Sequence, residues 1–247
     1  MKPVIGFSHY GHLGQHYMAA AKTKGLKVSG KIEDCDIVFV SPDRPGEVSP
    51  EQAVESVLYT LKEDAVLVIL CQVEPGFTRK VKWPQDQLYY QVETLRMKDA
   101  KERALYPDRV IIGEHWQEDE DNPEQLHEKL MEFLTTFNCL RIVVSYEEAE
   151  LAKIAINVYL AAQVCVTDTL ANVAKKIGAE WKNVIPALTS DNRIGEYAYL
   201  QPGGYCGSHL ERDLKQLVQY SPIDTSVIRA LLEYSETTQN NPKQSTV

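Results

Sequence analysis

Residues 201–217 read QPGGYCGSHLERDLKQL, a glycine-rich run with a cysteine, a histidine and an Arg-Asp pair just before an apolar stretch. This pattern suits an active-site loop that opens a helix, with Cys206 and His209 as its two reactive side chains. Upstream, Lys153 and Asn157 lie four residues apart in an apolar segment, so a helix would carry both on one face. An amine buried among apolar groups loses solvation and its pKa falls. Such a lysine serves as an acid or base or steadies an oxyanion. The same spacing also describes a lysine whose stem snorkels out of the helix. His9, His12 and His16 form a third group. If a helix begins by residue 12, His12 and His16 share a face at a spacing that can hold zinc. No third ligand is evident beyond His9, so no metal site is expected, and these histidines line a turn or face solvent.

The elements that must position these residues fall into two halves. In the first, short continuous apolar runs alternate with amphipathic stretches: KPVIGF, LKVSG, DIVFVSP, AVLVILC, RVIIGE and LRIVVS are strand candidates. GHLGQHYMAAAKTKG, SPEQAVESVLYTLK and PEQLHEKLMEFLTTF are helix candidates, the second started by Ser49 as N-cap and Pro50 at the first helical position. Continuous apolar strands separated by helices imply a parallel sheet covered on both faces. The fold class expected is α/β, a Rossmann-like parallel sheet over residues 1–145, followed over 146–247 by an all-helical domain built on one long central helix.

That helix is read over 147–178, beginning with acids and ending with two lysines before Gly178. At 1.5 Å per residue it would run roughly 48 Å. Its middle is apolar nearly all round, which predicts burial on most sides. EWKNVIPALTS, SHLERDLKQLVQY and DTSVIRALLEYSETTQ complete the helical half, and the polar tail NNPKQSTV is expected to fray.

A net charge of −9 argues against a nucleic-acid footprint. The N-terminal apolar run is too short for a signal peptide, and no run approaches the roughly 18 uncharged apolar residues of a membrane span. Five cysteines without paired spacing suit a reducing cytoplasm.

The segment E-x-AEL-x-K-x-x-x-N-x-x-LA, then SDNRIG, then PGG-x-x-GS-x-x-x-[KR]-DL, resembles the UDP-glucose/GDP-mannose dehydrogenase family in order and rough spacing. VIGFSHYG resembles that family's nucleotide turn after the first strand, DIVFVSP the strand ending in its Thr-Pro, and QVETLRMKDA with PDRVIIGE its PEFLREGxA and PxRIVIG. The resemblance covers nearly the whole chain but only two of the family's three domains, without the second Rossmann unit. It implies NAD-dependent oxidation of a nucleotide sugar at C6, in two steps, to a carboxylate. It further implies roles for particular residues. Glu93 is the active-site glutamate, and Lys153 and Asn157 bind and stabilise the reacting oxygen. Asp213 helps activate a proton carrier. Arg212, Gly204, Asp191 and Arg193 contact substrate. Gly6, Ser8, Tyr10, Gly11 and Ser41 belong to the cofactor turn. A homodimer through the 147–178 helix is also implied.

The chain departs from the family where the chemistry is most demanding. Against the family's GFGGSCFPKD it reads GYCGSHLERD, so the catalytic cysteine falls on His209, and Cys206 takes a glycine position. In the family a thiolate adds to the aldehyde, gives up hydride to become a thioester, and water releases the acid. Histidine replaces that covalent step poorly but can act as a general base. Alternatively, His209 merely caps a helix or meets solvent. Ser8 stands at the second glycine of GxGxxG. After the second strand, VSGKIED lacks the acid expected on the ribose hydroxyls. Lys31 near that place suits the 2′-phosphate of NADP or is a plain surface lysine.

The expectation is an NAD- or NADP-dependent oxidoreductase on a sugar nucleotide or sugar phosphate, limited to one two-electron step. Its partners would be that small-molecule substrate and a second copy, with no nucleic acid and no membrane. One alternative is a catalytically inactive relative that binds a ligand or partner. Another is a subunit whose third domain comes from a different chain.

Overall fold

The computed structural model describes residues 2–42, 48–96, 98–116, 126–203, 207–219 and 223–240. The chain divides into two compact units, residues 1–153 and 154–247.

The first unit holds β1 (Val4–Ser8), α1 (His12–Thr23), β2 (Lys27–Ser29), β3 (Ile37–Val40), α2 (Pro50–Leu58), β4 (Val66–Ile69), β5 (Leu88–Gln91), α3 (Ala100–Leu105), β6 (Arg109–Glu114), α4 (Glu128–Leu134) and β7 (Leu140–Ser145). One seven-stranded sheet runs in the order β2-β1-β3-β4-β5-β6-β7. Every neighbouring pair is parallel except β5 and β6. This is the Rossmann-like arrangement expected, with one strand more than the six read from sequence and one antiparallel pairing. The extra strand, β5, is LYYQ, buried throughout. Strands β3 and β4 are also buried at every position, which is why they read as unbroken apolar runs.

The core has an aromatic spine. Phe7 stacks on Phe39 at 5.2 Å between ring centroids, and Phe39 meets Phe133 of α4 at 5.1 Å. Ile5, Val68, Ile112 and Leu130 fill the space around it. Each fully buried aliphatic side chain of this kind is worth about 1.5–3 kcal/mol. Helix α2 starts as its sequence predicts. Ser49 accepts from the Gln52 N–H while Gln52 accepts from the Ser49 N–H, a complete capping box.

Asp36 ties three strands at the edge of this core. Its carboxylate accepts from the Val4 N–H at 2.7 Å and lies 3.1 Å from Lys62 Nζ, while its backbone bonds Val4 and Val66. Burial alone would raise the carboxyl, but the Val4 N–H and Lys62 hold it below the ordinary aspartate value. A depressed acid adds stability above its unfolded value and loses it as pH falls through the folded one. Asp36→Asn should therefore lose about 1 kcal/mol at neutral pH, discounted for the partly exposed Lys62. It should match the parent once the pH is below the folded value. Thermal midpoints across that range test this, and a deficit independent of pH would contradict it.

Helix α5 (Tyr146–Lys176) leaves the first unit and continues into the second. It ends as a left-handed turn at Gly178, φ 77°, with the Ala179 N–H bonded back to Ala174. The second unit adds α6 (Trp181–Thr189), α7 (Ser208–Val218) and α8 (Ser226–Asn240). Ala161 and Cys165 of α5 form its core with Leu214, against which Leu210, Ile228 and Leu231 pack.

The expected burial of α5 on most sides is not found. Tyr159, Val166, Leu170, Val173 and Ile177 stay exposed along one stripe. By length and composition α5 is long and apolar enough to cross a membrane, although Asp168 interrupts its uncharged run. Its second half nevertheless packs on α7 and α8 and carries the buried Asp168.

Candidate active site

The turn between β1 and α1 brings together most of the expected cofactor residues. The Ser41 N–H donates to the Ser8 carbonyl at 3.1 Å, and the Gly11 N–H to the Ser41 carbonyl at 3.4 Å. Gly11 caps α1 with no side-chain acceptor, and the first turn of α1 holds no acidic residue. The positive end of the helix dipole therefore meets no carboxylate from its own helix. At Gly6 a Cβ would meet Cys35 Sγ at 2.6 Å, so glycine is needed for strand-to-turn packing. At Gly14, missed in the sequence reading, a Cβ would collide with Ser41 Oγ and Tyr10 Cβ.

Ser8 Oγ lies 2.7 Å from His9 Nδ1, and His9 itself takes φ 51°. His9 Nε2 reaches Ser56 Oγ of α2 at 3.4 Å. His12 is exposed and His16 half-buried. Burial first, then His12 and Lys101, hold His16 below the ordinary histidine value.

The turn fits the phosphates of a dinucleotide. The helix start is uncapped, and the Ser41 hydroxyl is buried without a hydrogen-bond partner among the described residues. At the ribose end β2 finishes on Ser29, whose hydroxyl accepts from the Lys31 N–H at 3.1 Å. Lys31 is exposed there, where the family would hold a carboxylate.

Lys153 and Glu93, sixty residues apart, meet in the first unit. Lys153 Nζ donates to the Glu93 carbonyl at 2.7 Å and lies 3.5 Å from the Glu93 carboxylate. The two side chains are only 14% and 12% exposed. The bland reading of Lys153, a stem snorkelling to solvent, is therefore set aside. Glu93 also accepts from the Leu95 N–H, which orients its carboxylate.

One turn before Lys153, Glu150 is fully buried and accepts from the Gly76 N–H at 2.5 Å and the Thr78 N–H at 2.8 Å. It pins the loop after β4. The sequence reading missed it because, within EEAELAK, it looks like one more acid at a helix start.

In the second unit, Asn157 Nδ2 donates to Asp213 Oδ2 at 2.5 Å, and Arg212 Nε lies 3.2 Å from Asp213 Oδ1. Asp213 is fully buried, so its charge is balanced from both sides. His209 sits exposed on the first turn of α7, after Gly207 with φ 80°. Asp191 and Arg193 bond each other at 2.6 Å, with the arginine 89% exposed. Their ion pair holds the Asp191 carboxyl below its usual value. Gly204 and Cys206 lie outside the described residues.

The loop leading to α7 is anchored from α5 and α6. Asp168 accepts from the Gly203 N–H at 3.0 Å, from Asn172 at 3.2 Å and from the Tyr234 hydroxyl at 2.8 Å. Thr167 donates to the Tyr199 carbonyl at 2.7 Å, and the Trp181 indole donates to Leu200 at 2.8 Å. Asp168→Ala strands three donors at once and should cost about 2–4 kcal/mol, read as a lower thermal midpoint. A change under about 1 kcal/mol would contradict this anchoring.

Residues 147–237 match the sequence model of the UDP-glucose/GDP-mannose dehydrogenase family, central domain. Over these residues the chain is similar to that family's central domain. UDP-glucose 6-dehydrogenase of Rickettsia bellii is 27% identical over 241 residues, covering 89% of this chain and 54% of that protein. The Streptococcus pneumoniae UDP-glucose 6-dehydrogenase is 29% identical over 198 residues, covering 75% and 49%. The chain thus spans about half the length of these curated family members. In fold it resembles the UDP-glucose dehydrogenase of Pyrobaculum islandicum, with TM-score 0.75 at 20% identity over 97% of this chain and 69% of the other. The Pyrococcus horikoshii UDP-D-ManNAc dehydrogenase gives TM-score 0.75 at 16% identity over 96% and 69%.

Proposed function

We propose that the chain is an NAD- or NADP-dependent oxidoreductase acting on a nucleotide sugar or related phosphorylated sugar, in a single two-electron step between alcohol and carbonyl. The observation that carries this reading is the secluded Lys153, held on the Glu93 carbonyl beside the Glu93 carboxylate. Secluding an ammonium is costly unless it is paired and used.

Gly11, Ser41 and the first turn of α1 would hold the dinucleotide's phosphates, with Lys31 at the ribose end. A nicotinamide, when bound, would supply the hydride acceptor or donor. Lys153 stabilises the substrate oxygen as it gains charge, and the Glu93 carbonyl fixes the ammonium's direction. Glu93 accepts the hydroxyl proton directly or through water. For the second unit the family resemblance implies a substrate contact at Asn157, whose amide Asp213 orients. Arg212, Asp191 and Arg193 contact the sugar or its phosphates. His209 stands where the family has cysteine. An imidazole there forms no thioester, so the reaction stops after two electrons.

The test is incubation with NAD or NADP and a panel of nucleotide sugars, comparing reduced nicotinamide with product. The expected result is one reduced nicotinamide per aldehyde or ketone. Two per carboxylate would contradict the two-electron limit. No turnover with any sugar would favour the second reading, a catalytically inactive ligand-binding or interaction protein. That reading is supported by the exposed His209 and the Ser8 side chain in the phosphate turn. A cytoplasmic setting is inferred from the cysteines, of which Cys35, Cys71, Cys139 and Cys165 are free.

We also infer a homodimer through α5. Its stripe Tyr159, Val166, Leu170, Val173 and Ile177 repeats every three to four residues or their sum, as a helix-packing seam does. Val166→Asp with Tyr159→Lys should convert a dimer into a monomer in sedimentation equilibrium. A parent chain that is already monomeric would contradict the inference.

A further inference from the structure

His12 and His16 lie on the first two turns of α1, four residues apart. Their rings meet edge to face at 84°, with centroids 4.7 Å apart, and their Nε2 atoms are 3.2 Å apart. Two neutral imidazoles facing each other through the same nitrogen share one proton at that distance. A metal ion replaces such a proton without moving the rings far. Two histidine nitrogens, each about 2.0–2.1 Å from a tetrahedral zinc, lie roughly 3.3 Å apart. The helix backbone sets this separation, so the pair is preorganised.

His9, the remaining histidine of the group, is engaged elsewhere. Its Nδ1 faces Ser8 Oγ at 2.7 Å and its Nε2 faces Ser56 Oγ at 3.4 Å. Among the described residues no cluster of three or more His, Cys, Asp or Glu side chains could hold a metal ion. The pair therefore offers two protein ligands and leaves the other coordination positions to water or an anion.

We propose that His12 and His16 chelate a borderline transition-metal dication, with zinc as the representative ion. Two imidazoles suit zinc, nickel or copper, whereas magnesium and calcium demand oxygen ligands. Zinc binding needs neither a dinucleotide nor a sugar, so its test is separate from that of the oxidoreductase reading. It departs from the sequence expectation of no metal, which took a third protein ligand to be required.

Calorimetric titration of the full chain with zinc chloride alone, at neutral pH, tests the proposal. One equivalent of zinc should bind the parent chain. His12→Ala and His16→Ala should each weaken that binding by about tenfold or more, since chelation is lost with either ring. His9→Ala should leave it unchanged, and magnesium chloride should give no heat of binding. Circular dichroism of the variants should match the parent, because His12 is exposed and His16 half-buried. Zinc binding that survives both His12→Ala and His16→Ala would overturn the proposal by placing the ion on other groups. Absence of zinc binding to the parent would overturn it outright.

Discussion

Lys153→Ala is expected to lower kcat/KM of the proposed reaction by about 10²- to 10³-fold, the usual cost of losing one charge-stabilising donor at a reacting oxygen. The ammonium is 2.7 Å from a backbone carbonyl and only 14% exposed, so no other cation takes its place through solvent. The loss should fall on kcat, because the dinucleotide phosphates are assigned to the β1–α1 turn. Lys153→Ala also leaves the secluded Glu93 carboxylate beside no ammonium, with a stability cost of about 3 kcal/mol or more. Lys153→Met restores the bulk, so activity lost by both variants belongs to the missing charge and not to a cavity. Both variants should keep the parent's dinucleotide affinity. Activity within about threefold of the parent would remove Lys153 from the mechanism.

Glu150→Ala should be the most destabilising single change in the first unit, costing about 2–5 kcal/mol. Glu150 is fully buried and is the acceptor for two backbone N–H groups, at Gly76 and Thr78. Alanine leaves both donors without that acceptor. Burial pushes the Glu150 carboxyl above its ordinary value, against the pull of the Thr78 and Gly76 N–H groups, and Glu147 pushes it up further. A raised acid binds its proton more tightly in the folded state. Its stability contribution is therefore full below the unfolded value, about pH 4.5, and is lost as pH rises through the folded value. Glu150→Gln keeps one good acceptor and no charge, so it should be milder than Glu150→Ala. Its thermal midpoint should also lack the parent's decline above about pH 4.5. Midpoints across that range read both effects. An alanine variant within about 1 kcal/mol of the parent would contradict this account of the loop after β4.

The sequence was most legible where local chemistry and tertiary burial agree. IVFV and VLVI are apolar because both sheet faces are covered, and Ser49-Pro50 with Gln52 is a start signal that needs no distant partner. LYYQ was illegible as a strand because four residues between WPQDQ and VET carry no period of their own. Only its neighbours β4 and β6 make it β5. Helix α5 misled by composition. Its apolar residues encircle the axis, yet the stripe from Tyr159 to Ile177 finds no cover within the chain's described residues.

The site divides in the same way. Residue type and spacing singled out Lys153 and Asn157, but not their partners Glu93 and Asp213, which lie sixty and fifty-six residues away. The family resemblance supplied those partners. Neither route reached Glu150, Asp168 or Gly14. Their significance lies in which backbone N–H or side chain meets them in space, and glutamate, aspartate and glycine are ordinary residues for helices and turns.

The central claim is that the β1–α1 turn still receives a dinucleotide despite Ser8 and the missing ribose carboxylate. Calorimetric titration of the full chain with NAD, NADH, NADP and NADPH tests it most directly. The account predicts saturable micromolar binding of at least one of the four. No binding of any of them at millimolar concentration would contradict it, leaving a Rossmann scaffold without its chemistry.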